Sequence, residues 1–129
     1  MLVVDASCLY EVVADGEASE SVRQILAADA DQAAPHLIDA EVLSLIRRDR
    51  FRNLLDSTGA SQAVEDLRSW PGERFSHLPL LERAWELRDA VRTWDALYVA
   101  LAEAMGATLL TRDSRLAKAR GPSCPIQLP

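Results

Sequence analysis

Four carboxylates sit where a strand should hand over to a helix, or on a helix that faces such a junction: Asp5, Glu41, Asp95 and Asp113. Each lies in or beside an apolar run. A lone carboxylate there loses hydration and destabilises the chain unless it is paired or bound to a cation. Any one of the four reads equally well as a helix cap or a surface acid; the set is more specific than its members. Oxygen-only ligands favour a hard divalent cation, Mg²⁺ or Mn²⁺. Such an ion can turn a bound water into a nucleophile and neutralise charge on a phosphodiester. No cysteine, serine or histidine is placed to act as the nucleophile instead. Asp5 and Asp113 are the expected direct metal ligands. Asp95, in the first turn of its helix, is the third ligand or a holder of water, favoured there by the helix dipole. Glu41 has the longer arm and is expected to orient or deprotonate the water.

The elements that must position these groups follow from hydrophobic period and turn chemistry. Residues 1–4 read as a short buried strand with Asp5 at its carboxyl end. Residues 6–14 are helical, broken at Asp15-Gly16. Residues 18–30 repeat apolar positions at Val22, Ile25, Leu26 and Ala30, a helix face. A small strand over 32–34 stops at Pro35. A helix over 37–48 places Glu41 beside Leu37, Leu45 and Arg48, with 50–56 a short continuation or turn. Thr58-Gly59 reads as a loop and 60–69 as helix. A third strand is expected over 74–77, then a helix with Pro79 in its first turn, running to about Asp89. Thr93 is the predicted N-cap of a helix over 94–105, with Gly106 just past its end. A fourth strand over 108–111, a short helix over 113–119 and an edge strand over 125–128 complete the chain. Short apolar strands alternating with helices predict an α/β fold around a mostly parallel sheet. Ligands of such sheets bind beyond the carboxyl ends of the strands, at the switch point. If the first and fourth strands are neighbours, Asp5 and Asp113 meet there. Tyr98 and Ala102 share the Asp95 face, and Tyr98 is expected to pack in the site wall with its hydroxyl outward.

Composition sets bounds on the rest. A chain of 129 residues, 49 % hydrophobic, is the size of one domain with a real core and is not a disordered chain. No apolar run approaches the ~20 residues of a membrane span. The start, Met1-Leu2-Val3-Val4-Asp5, has no basic region ahead of an apolar one, so the expectation is a cytoplasmic protein. Cys8 and Cys124 are not spaced for zinc and read as reduced thiols; His36 and His77 read as loop or strand-end structure. The net charge of −6 is uneven, with nine acids and one base in residues 1–41 against eleven acids and thirteen bases after them. Lys118 is the only lysine, so the cations are arginines, which suit bidentate recognition of phosphate or carboxylate. Arg47, Arg48, Arg50 and Arg52 form one cluster; Arg112, Arg115, Lys118 and Arg120 form another. Each cluster by itself reads best as a solvated helix face.

Other carboxylate chemistries fit less well. A receiver domain wants a second acid beside the first and a lysine after a late strand, whereas Lys118 falls on a predicted helix. A haloacid-dehalogenase-like phosphatase wants Asp-x-Asp where this chain has Asp5-Ala6-Ser7. There is no GxGxxG and no P-loop.

With "VVDAS" at the start, Glu41 within "PHLIDAEV", and "WDALYVALAEAMGATLLTRD" late, the whole chain resembles a PIN-domain ribonuclease. Within that family it is most similar to the VapC toxins of toxin–antitoxin pairs. The resemblance implies a PIN-like three-layer α/β/α fold as one domain over 1–129. It implies that Asp5, Glu41, Asp95 and Asp113 form the acidic quartet, with Ser7 and Thr111 as supporting hydroxyls. Leu116 stands where the family carries a small polar residue. Further implications are Mg²⁺- or Mn²⁺-dependent endonuclease cleavage of RNA, a homodimer, and a small cognate VapB-like antitoxin that inhibits the enzyme. Arg112, beside Asp113, is a candidate contact for substrate or antitoxin. Apolar positions Leu43, Leu45, Leu54, Leu55, Val64 and Leu67 place the expected dimer contact in residues 37–69. The competing reading is an inert acidic-pocket module that captures a basic partner peptide.

Overall fold

A computed structural model describes all residues, 1–129. The strands are β1 (Leu2–Val4), β2 (Gln32–Pro35), β3 (Glu73–Phe75), β4 (Thr108–Leu110) and β5 (Ile126–Gln127). The helices are α1 (Ala6–Val13), α2 (Ser19–Ala28), α3 (Leu37–Phe51), α4 (Ser57–Ser69), α5 (Leu81–Glu86), α6 (Thr93–Met105) and α7 (Ser114–Lys118). A single 3₁₀ turn over Leu78–Leu80 precedes α5. All strand pairs are parallel and the sheet order is β3-β2-β1-β4-β5. Parallel crossovers are right-handed. The connections from β1 to β2 and β2 to β3 therefore lie on one face, and the return from β3 to β4 lies on the other, which gives three layers.

β1 lies beside β4, with Val3 opposite Leu109 and Val4 opposite Leu110. This is where the chain order reverses, so the crevice of the fold opens beyond Val4 and Leu110. The backbone N–H of Asp5 donates to Leu110 O at 2.9 Å and fixes the first acid there. α6 packs on β1, β2 and β4 with α5 outside it, while α1 packs on α2, α3 and α4. Residues 96–102 are buried without a break. That run explains the continuous apolar stretch ALYVALA, since a helix apolar all round belongs in a core. No helix is long and apolar enough to cross a membrane.

Element bounds depart from the sequence expectations where side-chain caps decide. Thr58-Gly59 is helix, not loop. Asp56 caps α4 by accepting from Gly59 N at 2.6 Å, and an early turn tolerates the glycine. Arg92, not Thr93, is the N-cap of α6; its extended backbone has φ −61° and ψ 149°, and no side chain caps that end. Gly106 takes φ +61° at the other end, the left-handed conformation that the sequence places there. Pro35 closes β2 instead of stopping before it, and the ladder continues past it as His36 N donates to Phe75 O. β3 lies one residue earlier than expected and ends at Phe75. His77 Nε2 accepts from Leu37 N at 3.0 Å, satisfying a donor at the start of α3. Both cysteines are free thiols.

Candidate active site at the β1–β4 crevice

Asp5 is 7 % exposed and its position is fixed by two hydroxyls. Thr111 Oγ1 donates to Asp5 Oδ2 at 2.6 Å and Ser7 Oγ donates to the same oxygen at 2.9 Å. Each hydroxyl also accepts from the loop after β4: Thr111 Oγ1 from Asp113 N and Ser7 Oγ from Arg112 N, both at 3.1 Å. Together they stitch the end of β1 to the end of β4, with both residues at the positions expected for supporting groups. Burial pushes the Asp5 carboxyl above the usual range, the two hydroxyl bonds pull it back, and the charge of Asp113 raises it.

Glu41 arrives from the second turn of α3 and accepts from Tyr98 Oη at 2.8 Å. Its pKa is raised to about 7, first by burial; the Tyr98 bond opposes this and the charges of Asp5 and Asp95 add to it. Asp95 lies in the first turn of α6, also raised by burial and then by Asp5. Asp113 is the N-cap of α7, where its Oδ1 accepts from Arg115 N at 2.8 Å and Leu116 N at 3.3 Å. It is therefore both a cap and a member of the cluster. The crevice thus gathers all four sequence-predicted acids, each within reach of another's charge.

Tyr98 corrects one expectation. Its hydroxyl points inward to Glu41, and the residue is 1 % exposed. Helix periodicity gives its face but not its depth. Arg112 turns from the cluster to pair with Glu11, at the rim of a neighbouring cavity lined by Tyr10, Arg48, Asp49 and Leu54. The Leu116 side chain is buried and adds no oxygen ligand. Arg92 escaped sequence reading: its guanidinium spans Asp95 Oδ2 and Asp113 Oδ2 at 3.5 Å each. The i,i+3 spacing from Asp95 was its only signal.

No three His, Cys, Asp or Glu side chains converge tightly enough to enclose an ion between them. A closed zinc-type site is therefore a poor match. The donors fit a hard cation that takes one or two carboxylates and keeps its waters: they are all oxygen, half-buried, and carry negative charge opposed by one long-range guanidinium.

The PIN domain family model matches residues 2–122. Ribonuclease VapC1 of Mycobacterium tuberculosis is 42 % identical over 127 residues, covering 98 % of this chain and 96 % of that protein. Ribonuclease VapC3 of the same organism is 43 % identical over 119 residues, covering 92 % and 86 %. Among solved structures, PAE2754 from Pyrobaculum aerophilum superposes with a TM-score of 0.72 at 24 % identity, covering 97 % of this chain and 81 % of that one. VapBC2 from Rickettsia felis, bound to a DNA fragment from its promoter, gives 0.71 at 15 % identity over 98 % and 97 %. These two likenesses speak for the fold alone. The match of the family model over nearly the whole chain, with curated relatives at this identity, shows that the chain belongs to the PIN-domain family.

Proposed function

We propose that this protein is a Mg²⁺- or Mn²⁺-dependent endoribonuclease, the toxin of a type II toxin–antitoxin pair. One observation carries the reading: a buried aspartate locked by two hydroxyls shares a crevice with a glutamate whose pKa is raised to about 7. Buried acids whose pKa is shifted by burial and by one another's charge cluster at functional sites. The relatives named ribonuclease VapC support the same conclusion. Asp5 and Asp113 would ligate the ion and Asp95 would hold one of its waters; the ion when bound would supply a Lewis acid for a phosphodiester oxygen. Ser7 and Thr111 keep Asp5 in one rotamer, so the site is organised before substrate arrives. Glu41 accepts the proton of the attacking water. A base with pKa near the working pH combines availability with driving force. Water oxygen bonds to phosphorus, the P–O bond breaks, and the departing oxygen takes a proton from solvent.

With Mg²⁺ or Mn²⁺ the purified protein should cleave RNA, and excess chelator should slow this at least about a hundredfold, reversibly on re-addition of metal. Induced alone in a host it should arrest growth, and co-expression of a VapB-like antitoxin should relieve the arrest. Cleavage unchanged in chelator refutes metal dependence. No cleavage under any metal, with tight capture of a basic peptide, would identify an inert acidic pocket instead.

The homodimer belongs to the same proposal. Leu43, Phe51 and Leu54 are 50 %, 71 % and 68 % exposed in residues 37–69, an apolar surface suited to a second copy. Leu67 drops out of the expected contact because it packs in the core. Light scattering should give twice the chain mass, and Leu54→Glu should shift it toward the monomer. A monomer at all concentrations refutes the dimer.

A further inference from the structure

Arg92 stands in the wall of two openings that flank the acid cluster. One, about 340 Å³, lies between Glu41 and residues 92–95. The other, about 280 Å³, is lined by Val91, Arg92, Asp95, Asp113, Arg115 and Leu116, among others. The hydrolytic reading uses Asp95 and Asp113 and leaves the rest of this second cleft's lining without a role. Its lining is mixed: Asp95 and Asp113 supply the acids, Arg92 and Arg115 are exposed, and Val91 and Leu116, 6 % and 4 % exposed, belong to the buried core.

An exposed arginine pair is ordinarily a solvated edge. Other arginines of this chain show what commitment looks like. Arg74 is tied to Asp39 and to the carbonyls of Leu67, Trp70 and Gly72. Arg83 is tied to Glu103, Glu86 and Gly121 O. Arg112 is paired with Glu11. The Arg115 guanidinium, by contrast, enters none of the chain's ion pairs. Arg92 is held by two contacts of 3.5 Å and its side chain is 79 % exposed. A pair that exposed contributes little, so releasing it is easy. Any cation that neutralises Asp95 and Asp113 would release it further. Two uncommitted guanidiniums over an apolar floor, beside acids that handle a phosphodiester, match the charge of a nucleic-acid backbone and the apolar face of a sugar.

We propose that this cleft is a subsite for the RNA strand adjoining the scissile bond, with Arg92 and Arg115 as its phosphate ligands and Val91 and Leu116 flooring the ribose. The proposal rests on the ribonuclease reading. On this account Arg92 serves the carboxylates in the resting site and the backbone when RNA is bound. Neither arginine touches the reacting atoms, so both act through binding.

The test measures binding of a short fluorescent single-stranded RNA that the wild type cuts, using Asp5→Asn as the uncleaving parent. Arg92→Gln and Arg115→Gln should each weaken binding by about fivefold. Each should also lower the slope of log affinity against log salt by about 0.7, the loss of one phosphate contact to a single strand. In the cleaving background each should raise KM several-fold with kcat within about twofold, the signature of uniform binding. Arg120→Gln, also exposed but outside the cleft, should change affinity less than about twofold, and all variants should melt with their parents. Unchanged affinity in both cleft variants, or an equal loss in Arg120→Gln, overturns the subsite. If the wild type still cuts RNA in that case, the ribonuclease reading stands. If the parent neither binds nor cuts any RNA, both fall together.

Discussion

Replacing Asp5 by Asn should yield a folded protein that cleaves RNA about a thousandfold more slowly than the wild type, or not at all. That size is expected if Asp5 ligates the proposed cation, whose charge stabilisation would be worth several kcal/mol, at ~1.4 kcal/mol per tenfold. The fold survives because the asparagine oxygen can still accept from Thr111 Oγ1 and Ser7 Oγ. Stability in chelator should even hold or rise. Burial raises the folded pKa of Asp5, so the carboxyl binds more protons folded than unfolded and destabilises increasingly as pH climbs above ~4. Asparagine removes that term. Mn²⁺ at a hundredfold excess over its dissociation constant should stabilise the wild type by about 2.7 kcal/mol. For a chain of this length that is roughly 10 °C in Tm. Asp5→Asn should lose most of that gain. A melting series at pH 8 with chelator or Mn²⁺ decides the matter. If the metal-free mutant melts well below wild type and Mn²⁺ raises both equally, Asp5 is a structural residue and the reaction lies elsewhere.

How much of this site a reader of the sequence can see depends on range. Asp5 is legible because four apolar residues end abruptly in an acid, and Asp113 because the short apolar strand at Leu109-Leu110 gives way within three residues to an acid. The α6 run is legible because ALYVALA admits no other place than a core. Whether β1 and β4 are neighbours is a long-range fact. The sequence states it only as a condition, and the parallel pairing of Val3 with Leu109 meets it. Side-chain direction is the level that stays hidden. Nothing local turns Arg112 toward Glu11, 101 residues away, or sends Tyr98 Oη inward to Glu41 across 57 residues. Arg92 is hidden for a related reason: it lies at a turn, where periodicity says nothing, and its partners come from two different elements. The cap of α4 was readable in principle, since Asp56 precedes Gly59 by three. Gly59 reads as a breaker, but propensity is a weaker guide than a satisfied orphan donor, and the cap decides the structure.

The strongest pH signature belongs to Glu41. Its folded pKa of about 7 stands well above the unfolded value near 4.3. The metal-free folded state therefore holds a proton that the unfolded chain has lost, and stability falls as pH rises from ~4.5 through ~7. At about 1.4 kcal/mol per unit, and discounted because Glu41 is only half-buried and water screens its charge, the full loss is on the order of 2 kcal/mol. Glu41→Gln removes its share of that slope, so urea denaturation in chelator should find the mutant near the wild type at pH 4.5 and about 2 kcal/mol more stable at pH 8. The same substitution removes the proton acceptor and should slow cleavage about a hundredfold or more. Tyr98→Phe separates the two effects. The Tyr98 hydroxyl lowers the Glu41 pKa by donating to its charged form, so removing it raises that pKa further. A cation on the neighbouring aspartates shifts the acid limb of the pH–rate profile downward for every variant, but not the order of the variants. In Tyr98→Phe the limb should lie about one unit higher than in the wild type, with most of the plateau rate retained above it, because a hydrogen bond to a charged group is worth about 1.5 kcal/mol. A limb that Tyr98→Phe leaves in place, together with wild-type pH dependence of stability in Glu41→Gln, would mean that the base is another group and that Glu41 only lines the crevice.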